Sequence, residues 1–207
     1  MNSGYTEVLN SIGSSDPTPG GGSVAALSLA HAHSLALMVA RLTVGKEKWS
    51  DGHEAAEQII SDSLDGVDNA IWLAKLDAEA FDSVMSAYRM PKDTTDEKKV
   101  RSSAIREATI AAARAPLDTA SSARNLLSSL ESLCVSCNSN ALTDLASAAE
   151  LCLSSVKIAA MNVKVNLDSI EGEDVENISS QLNQVILDSK QLGESITLNV
   201  NERLNWK

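Results

Sequence analysis

Aromatic residues are scarce in this sequence, at 3% of 207 residues. Sheet sandwiches favour aromatic and β-branched side chains, so a core built from Ala, Leu, Val and Ile fits closely packed helices better. No run of about 18 apolar residues predicts a transmembrane helix. The N-terminus has neither the basic start nor the long apolar centre of a secretory signal. We therefore expect a soluble protein of the cytoplasm that has no membrane partner.

Basic residues are also few, at 17 against 28 acidic ones, which gives a net charge of −11. A nucleic-acid-binding protein usually carries a basic patch, and none is visible, so no nucleic-acid partner is expected. Cys134 and Cys137 form a C-x-x-C pair, but Cys152 and the three histidines offer no second pair at zinc-binding spacing. We expect buried thiols in a reducing compartment, with no metal.

Apolar residues recur at helical spacing along most of the chain. The predicted helices cover residues 3–12, 23–43, 53–88, 96–134, 143–170 and 175–200. In the third helix the stripe from Ile60 to Tyr88 has steps of three and four, which predicts its burial against other helices. Pro116 predicts a kink or a break in the fourth helix. The expected fold is an all-α, up-and-down bundle of five to seven helices, several of them long, in a single domain over residues 1–207.

Two local patterns compete with this interpretation. The stretch "MNVKVNL" (161–167) alternates apolar and polar residues like a strand, but the longer helical stripe around it predicts a helix. The stretch "DPTPGGGSVAAL" (16–27) has the glycines of a phosphate-binding loop but lacks the Lys-Ser/Thr that follows the last glycine in such loops. Its three glycines are instead expected to expose backbone N–H groups at a helix start.

Asp77 is the candidate for proton chemistry. Its neighbours at helical spacing are apolar, so its carboxylate should lose hydration and have a raised pKa. The alternative is an ordinary surface aspartate. His31 and His33 lie two residues apart and therefore on nearly opposite helix faces, which prevents them from sharing a metal. Either could be an acid–base group, or neither.

Asn162 and Asn166 lie four residues apart, on one face of a predicted helix. Amide side chains both donate and accept hydrogen bonds, so such a pair can recognise an amide-like ring. It can equally cap or bridge neighbouring helices.

Five segments occur in the same order as in a known family: "DPTPGGGSVAAL", "MVARLTVGKEKW", "AKLDAEAFDSVMSAYRMPK", "NSNALTD" and "NVKVNL". The sequence thus resembles the cyclodeaminase/cyclohydrolase family of folate enzymes over about residues 5 to 200. This family includes the C-terminal domain of formiminotransferase-cyclodeaminase and stand-alone methenyltetrahydrofolate cyclohydrolases. The resemblance implies an all-helical fold, a homodimer or higher homo-oligomer, and a tetrahydrofolate derivative as substrate, without metal or nucleotide.

The resemblance also implies site residues. It places the catalytic aspartate at Asp77. The positions implied to bind the folate are Pro19, Gly20, Gly21, Gly22, Ser23, Lys46, Lys48, Lys92, Arg101, Asn138, Asn140, Asp144, Asn162 and Asn166. We expect the asparagines to read the pterin ring and the basic residues to meet the anionic glutamate tail. This sequence has His31 and His33 where the family usually has small residues, and Trp49 where it often has Tyr. Neither difference involves Asp77.

Three functions remain open from the sequence. The first is a cyclohydrolase that converts 5,10-methenyltetrahydrofolate and water to 10-formyltetrahydrofolate, which is favoured because this sequence shows no formiminotransferase domain. The second is a cyclodeaminase that closes formiminotetrahydrofolate and releases ammonia, and it needs the same residue types. The third is a helical module that binds folate or another subunit without catalysis.

Overall fold

A computed structural model describes residues 3–206 of the chain. The described residues contain helices and turns and no β-strand. The six α-helices are α1 (Ser3–Ile12), α2 (Gly21–Thr43), α3 (His53–Tyr88), α4 (Thr95–Cys134), α5 (Leu142–Leu167) and α6 (Glu173–Leu204). Short 3-10 helices, Glu47–Gly52 and Ser139–Ala141, precede α3 and α5. The all-α bundle expected from the sequence is confirmed.

Helix α2 occupies the centre of the bundle, packed against α3 and α5. By length and composition Gly21–Thr43 could cross a membrane, but 56% of its most apolar window is buried inside the protein. Alanine is the commonest residue of its core face, and Ala25, Ala32 and Ala36 are fully buried. The apolar character of α2 therefore follows from its central position among the other helices.

Helix boundaries follow local signals. Thr94 caps α4 by accepting a hydrogen bond from Glu97 N at 3.2 Å, and the Glu97 carboxylate accepts one from Thr94 N at 2.8 Å. Helix α4 thus begins at Thr95, one residue before the start at residue 96 that the sequence predicted. Gly45, at φ +74°, follows the end of α2 and allows the left-handed turn that stops it.

The apolar stripe predicted on α3 is mostly not the face that packs within the chain. Leu64, Ile71 and Tyr88 are about half exposed. The buried face carries smaller residues, including Ser63, Gly66 and Ala70. Small side chains let α3 approach α2 closely, so the burial prediction was wrong because it ranked positions by hydrophobicity rather than by the spacing between helices.

Pro116 is buried inside α4, which runs unbroken from Thr95 to Cys134. The break considered from the sequence does not occur. A proline removes one backbone donor, so the carbonyl four residues earlier, on Ala112, has no helical N–H to accept from. That carbonyl oxygen accepts a hydrogen bond from Asn166 Nδ2 of α5 at 2.9 Å. A side chain of the neighbouring helix thus supplies the missing donor.

Candidate functional site

Asp77 of α3 lies against the first turn of α2. The Ser23 hydroxyl is 3.1 Å from Asp77 Oδ2 and 2.9 Å from the carbonyl oxygen of Ala74. At Gly22 a Cβ atom would overlap the Asp77 carboxylate, so only glycine allows this approach. The contact between α2 and α3 therefore places a carboxylate at a helix N-terminus that has no side-chain cap of its own, since Gly20 is the N-cap residue.

Opposing effects set the pKa of Asp77. Burial is the largest and raises the pKa above the ordinary value for an aspartate, because desolvation disfavours the charged form. Hydrogen bonds from the Ser23 side chain and backbone N–H lower it, since they stabilise the carboxylate. The net shift is upward. A half-buried carboxyl with a raised pKa and a hydroxyl partner is suited to accept and return a proton.

The glycine-rich segment forms one wall of a cavity next to Asp77. The Thr18–Pro19 peptide bond is cis, and α2 begins two residues later at Gly21. The first N–H groups of a helix have no partner within it, so this wall presents backbone donors. The sequence expectation that the glycines lie at a helix start is confirmed. Their contact with a ligand remains a prediction.

The cavity has a volume of about 340 Å³, which lies in the range of small-molecule sites. Its lining residues are Pro17, Thr18, Gly20, Gly21, Gly22, Asp77, Phe81, Val84, Ala112, Asn162, Val165 and Asn166. Sequence reasoning missed the apolar side of this cavity. The signal was available for Phe81 and Val84, because positions four and seven residues after Asp77 share its helix face.

Asn162 and Asn166 face this cavity from α5 and present different groups to it. Asn162 Nδ2 donates to Ile158 O at 2.9 Å and lies near the backbone of Gly21. Asn166 Nδ2 donates to both Asn162 O and Ala112 O, each at 2.9 Å. Asn162 thus keeps one N–H and its oxygen, while Asn166 keeps its oxygen alone.

Two predicted basic residues lie toward the end of α3 beyond the cavity. Arg101 donates to Tyr88 O from Nη2 at 3.0 Å and lies 5.6 Å from the centre of the Tyr88 ring. Lys92 is exposed in the turn between α3 and α4. Tyr88 follows Asp77 by 11 residues, which corresponds to roughly 16 Å along a helix at 1.5 Å per residue. These cations therefore flank the cavity at a distance.

The other predicted binding residues do not join this cavity within one chain. Asn138 donates through Nδ2 to Leu42 O at 3.0 Å, and its backbone N–H donates to Thr43 Oγ1 at 3.1 Å. Lys46 and Lys48 follow this end of α2 in the chain, and Asn140 and Asp144 follow Asn138 toward the first turn of α5. Helix α2 has 23 residues, so this group lies roughly 34 Å from Gly21.

The histidines are not part of the cavity. His33 is buried, with Nδ1 2.9 Å from Ser63 Oγ, and burial lowers its pKa to about 4 against the opposing effect of Asp62. His31 is exposed, with Nε2 3.1 Å from the Tyr5 hydroxyl. The opposite-face prediction is confirmed.

The three cysteines are free and buried, as expected. Burial is the main cause that raises the pKa of the Cys134 thiol to about 11 and also raises that of Cys137. Arg203 donates to the carbonyl oxygens of both residues at 2.6 Å, which ties α6 to the turn after α4. Among residues 3–206, no three His, Cys, Asp or Glu side chains come together as metal ligands.

A larger groove of about 540 Å³ lies between α5 and α6. It is lined mainly by apolar side chains, with Lys157, Lys164 and Lys190 also contributing. Its one acidic residue, Glu194, pairs with Lys190 at 3.8 Å. None of the residues predicted from the sequence to bind the ligand lines this groove.

Comparison with known proteins agrees with the resemblance. Residues 4–184 match the family model described as formiminotransferase-cyclodeaminase. A methenyltetrahydrofolate cyclohydrolase of Methylorubrum extorquens is 32% identical over 198 residues, which cover 95% of each chain. A formimidoyltransferase-cyclodeaminase of Gallus gallus is 28% identical over 94% of this chain, but the match spans only 36% of that protein.

A solved structure has the same fold. The crystal structure of a formiminotetrahydrofolate cyclodeaminase from Thermotoga maritima superposes with a TM-score of 0.79. The two sequences are 28% identical, and the match covers 97% of this chain and 94% of the other.

Proposed function

Because the chain belongs to the formiminotransferase-cyclodeaminase family, we propose that it is a methenyltetrahydrofolate cyclohydrolase of one-carbon metabolism. A relative that matches over 95% of each chain has this name. The observation that carries the proposal is the placement of Asp77, with its raised pKa, on the wall of a cavity formed by the uncapped start of α2 and two asparagines. The reaction converts 5,10-methenyltetrahydrofolate and water to 10-formyltetrahydrofolate.

The reaction needs two proton transfers at one place. The methenyl carbon lies between two nitrogens that share a positive charge. Water attacks this carbon while Asp77 accepts a proton from the water. The hydroxyl of the resulting tetrahedral adduct releases its proton to solvent as the bond from carbon to one ring nitrogen breaks, and the protonated Asp77 returns its proton to that nitrogen. One positioned carboxyl can serve both steps. Its raised pKa makes the carboxylate a stronger base for the first step, and its protonated form is the acid for the second.

Ser23 supports both protonation states of Asp77. Its hydroxyl donates to the carboxylate, or to Ala74 O while its oxygen accepts from the protonated carboxyl. The free N–H groups at the start of α2 also favour negative charge nearby. These groups are fixed by the packing of α2 on α3, so little rearrangement is needed as the proton moves.

Recognition of the folate would use the polar groups around the cavity. Asn162 offers a donor and an acceptor, and Asn166 offers an acceptor, which matches the mixed N–H and C=O edge of a pterin ring. Phe81 and Val84 offer an apolar surface to the flat ring. The glutamate tail would extend toward Lys92 and Arg101 at the end of α3.

A homodimer would explain the distance between the two groups of predicted binding residues. Met38 and Leu42 of α2 are exposed, as are Val8 and Leu9 of α1. We propose that a second copy covers this apolar face, with the two α2 helices antiparallel about a twofold axis. Each cavity would then receive Lys46, Lys48 and the asparagines of the 138–140 turn from the other subunit. The three free cysteines are consistent with a cytoplasmic location, which is also part of this proposal.

The deciding experiment follows methenyl absorbance with purified protein. Loss of absorbance from methenyltetrahydrofolate above the uncatalysed rate supports the cyclohydrolase. Appearance of absorbance from formiminotetrahydrofolate, with ammonia released, would instead assign the cyclodeaminase, which the Thermotoga maritima neighbour's name favours. Binding of either folate without turnover would support a binding module and contradict the proposal.

A further inference from the structure

Pro116 of α4 and Asn166 of α5 are linked through the carbonyl of Ala112. In a regular helix the N–H of residue 116 would donate to the carbonyl of residue 112. Proline has no N–H, and its ring crowds that carbonyl, so the Ala112 oxygen is available to another donor. Asn166 Nδ2 supplies that donor at 2.9 Å.

The orientation of the Asn166 amide is fixed by two hydrogen bonds. Nδ2 carries two hydrogens, and both have acceptors, namely Ala112 O and Asn162 O. Among residues 3–206, no donor bonds to Asn166 Oδ1, and Asn166 lines the Asp77 cavity. The amide group is therefore held with its oxygen as the polar atom left for a ligand.

We propose that Pro116 is a positioning residue that makes Asn166 a pure hydrogen-bond acceptor in the folate site. Pro116 does not touch the cavity, and it acts by keeping the Ala112 carbonyl available to anchor the Asn166 amide. The Asn166 oxygen accepts a hydrogen bond from an N–H of the bound ring, of the kind carried by a pterin. The ligand part of this inference rests on the proposed function, whereas the anchor does not.

Pro116→Ala restores a backbone N–H that competes with Asn166 for the Ala112 oxygen. The Asn166 amide then loses one of its two anchors and can rotate, presenting N–H instead of oxygen to the ring. We expect KM for methenyltetrahydrofolate to rise about 3- to 10-fold, as for loss of one hydrogen bond, with kcat nearly unchanged. Thermal stability should be maintained or increased, because alanine favours a helix interior more than proline.

A double-mutant cycle separates this role from a general effect on packing. Asn166→Ala should raise KM as well, and Pro116→Ala should have no further effect in that background. Ser132→Ala is the matched control, because it also raises helix propensity in α4 at an exposed site away from Ala112, and it should leave KM unchanged. If Pro116→Ala raises KM by the same factor in the parent protein and in Asn166→Ala, the proposal is overturned.

The anchor can be tested without any folate. In the ¹H–¹⁵N spectrum, the side-chain amide signals of Asn166, assigned by their absence in Asn166→Ala, should exchange slowly with solvent in the parent protein. They should exchange faster in Pro116→Ala. Equal exchange in both proteins would refute the anchor. If the parent protein neither binds nor converts folate, the proposed function and the ligand part of this inference are both refuted. The exchange measurement still decides whether the Ala112 carbonyl anchors the Asn166 amide.

Discussion

The backbone of Gly22 lies directly against the carboxylate of Asp77, and a Cβ atom at position 22 would overlap Oδ1. The contact joins the first turn of α2 to the middle of α3, so the position of the carboxylate depends on the absence of one side chain. The function of the glycine-rich segment is therefore linked to Asp77 as well as to the cavity wall.

Gly22→Ala should displace Asp77 and reduce kcat by about 10-fold or more, because a misplaced proton-transfer group loses much of its effect. The folded state should remain, since the displaced groups are near the surface of the cavity. Gly13→Ala is the control, because a Cβ there would meet only backbone oxygens at ordinary distances, that of Leu9 at 3.5 Å and that of Asn10 at 3.8 Å. Steady-state kinetics and circular dichroism check both variants, and full activity of Gly22→Ala would contradict the close contact.

Asp77→Asn should lower kcat by about 10²- to 10⁴-fold while the protein still binds folate, since an amide cannot transfer the proton. Asp65→Asn is the matched control on the same helix, and its side chain is exposed. The measurement is single-turnover loss of methenyl absorbance together with equilibrium binding. Normal turnover by Asp77→Asn would remove this residue from the mechanism.

Activity should fall as the pH is lowered through the raised pKa of Asp77, because the base must be ionised to accept a proton from water. Ser23 stabilises the carboxylate, so Ser23→Ala should move this acid limb of kcat/KM to higher pH. Ser28→Ala is the control, since its hydroxyl bonds only to Val24 O of its own helix. An acid limb that stays in place or moves to lower pH in Ser23→Ala would contradict the assignment.

His33 should make the protein sensitive to acid. Its pKa is about 4 in the folded protein against 6.5 when exposed, so the unfolded state binds more protons between these values. Stability should therefore fall as the pH drops from 6.5 toward 4, by up to about 3 kcal/mol for this group. His33→Asn should flatten this dependence in thermal melts, whereas exposed His31→Gln should not. An unchanged slope in His33→Asn would show that other groups dominate.

The proposed dimer predicts complementation between two inactive variants. Asp77→Asn and the double variant Lys46→Glu/Lys48→Glu should each be weak alone. After mixing and exchange of subunits, one of the two sites in each heterodimer has all its native residues, which restores up to about a quarter of the activity for a twofold dimer. Activity no greater than the sum of the separate variants, or a monomer in light scattering, would contradict the shared site.

The sequence predicted the helices well, because apolar spacing and glycine stops report directly on local structure. It also singled out Asp77 and the asparagine pair as candidates, from apolar neighbours and four-residue spacing along one helix, and the structure brings these residues to one cavity. The exposed stripe on α3 could not be predicted, because the contact with α2 depends on small residues such as Gly66, and hydrophobicity ranks these low. The distance between Lys46 and Asp77 follows from the course of α2 through the folded protein.

The hydrogen bond from Asn166 to the Ala112 carbonyl likewise could not be predicted from the sequence. Residues 112 and 166 lie on different helices, and Pro116 by itself suggested only a disturbance of α4. The partner that satisfies the carbonyl becomes clear only when α5 is packed beside α4.

The alanine-rich contacts of α2 have an entropic consequence. Alanine has no side-chain rotamers to lose on burial, so ordering these contacts costs backbone entropy alone. The single phenylalanine, Phe81, is 37% exposed and contributes to the cavity rather than to the centre of the bundle. Small residues such as Gly22 and Gly66 thus let α2 and α3 approach closely, while larger side chains such as Leu29 and Ile59 fill the core beside them. Replacing a buried alanine such as Ala25 with a larger residue would move the helix axes apart. The distance between Gly22 and Asp77 would be the first to increase.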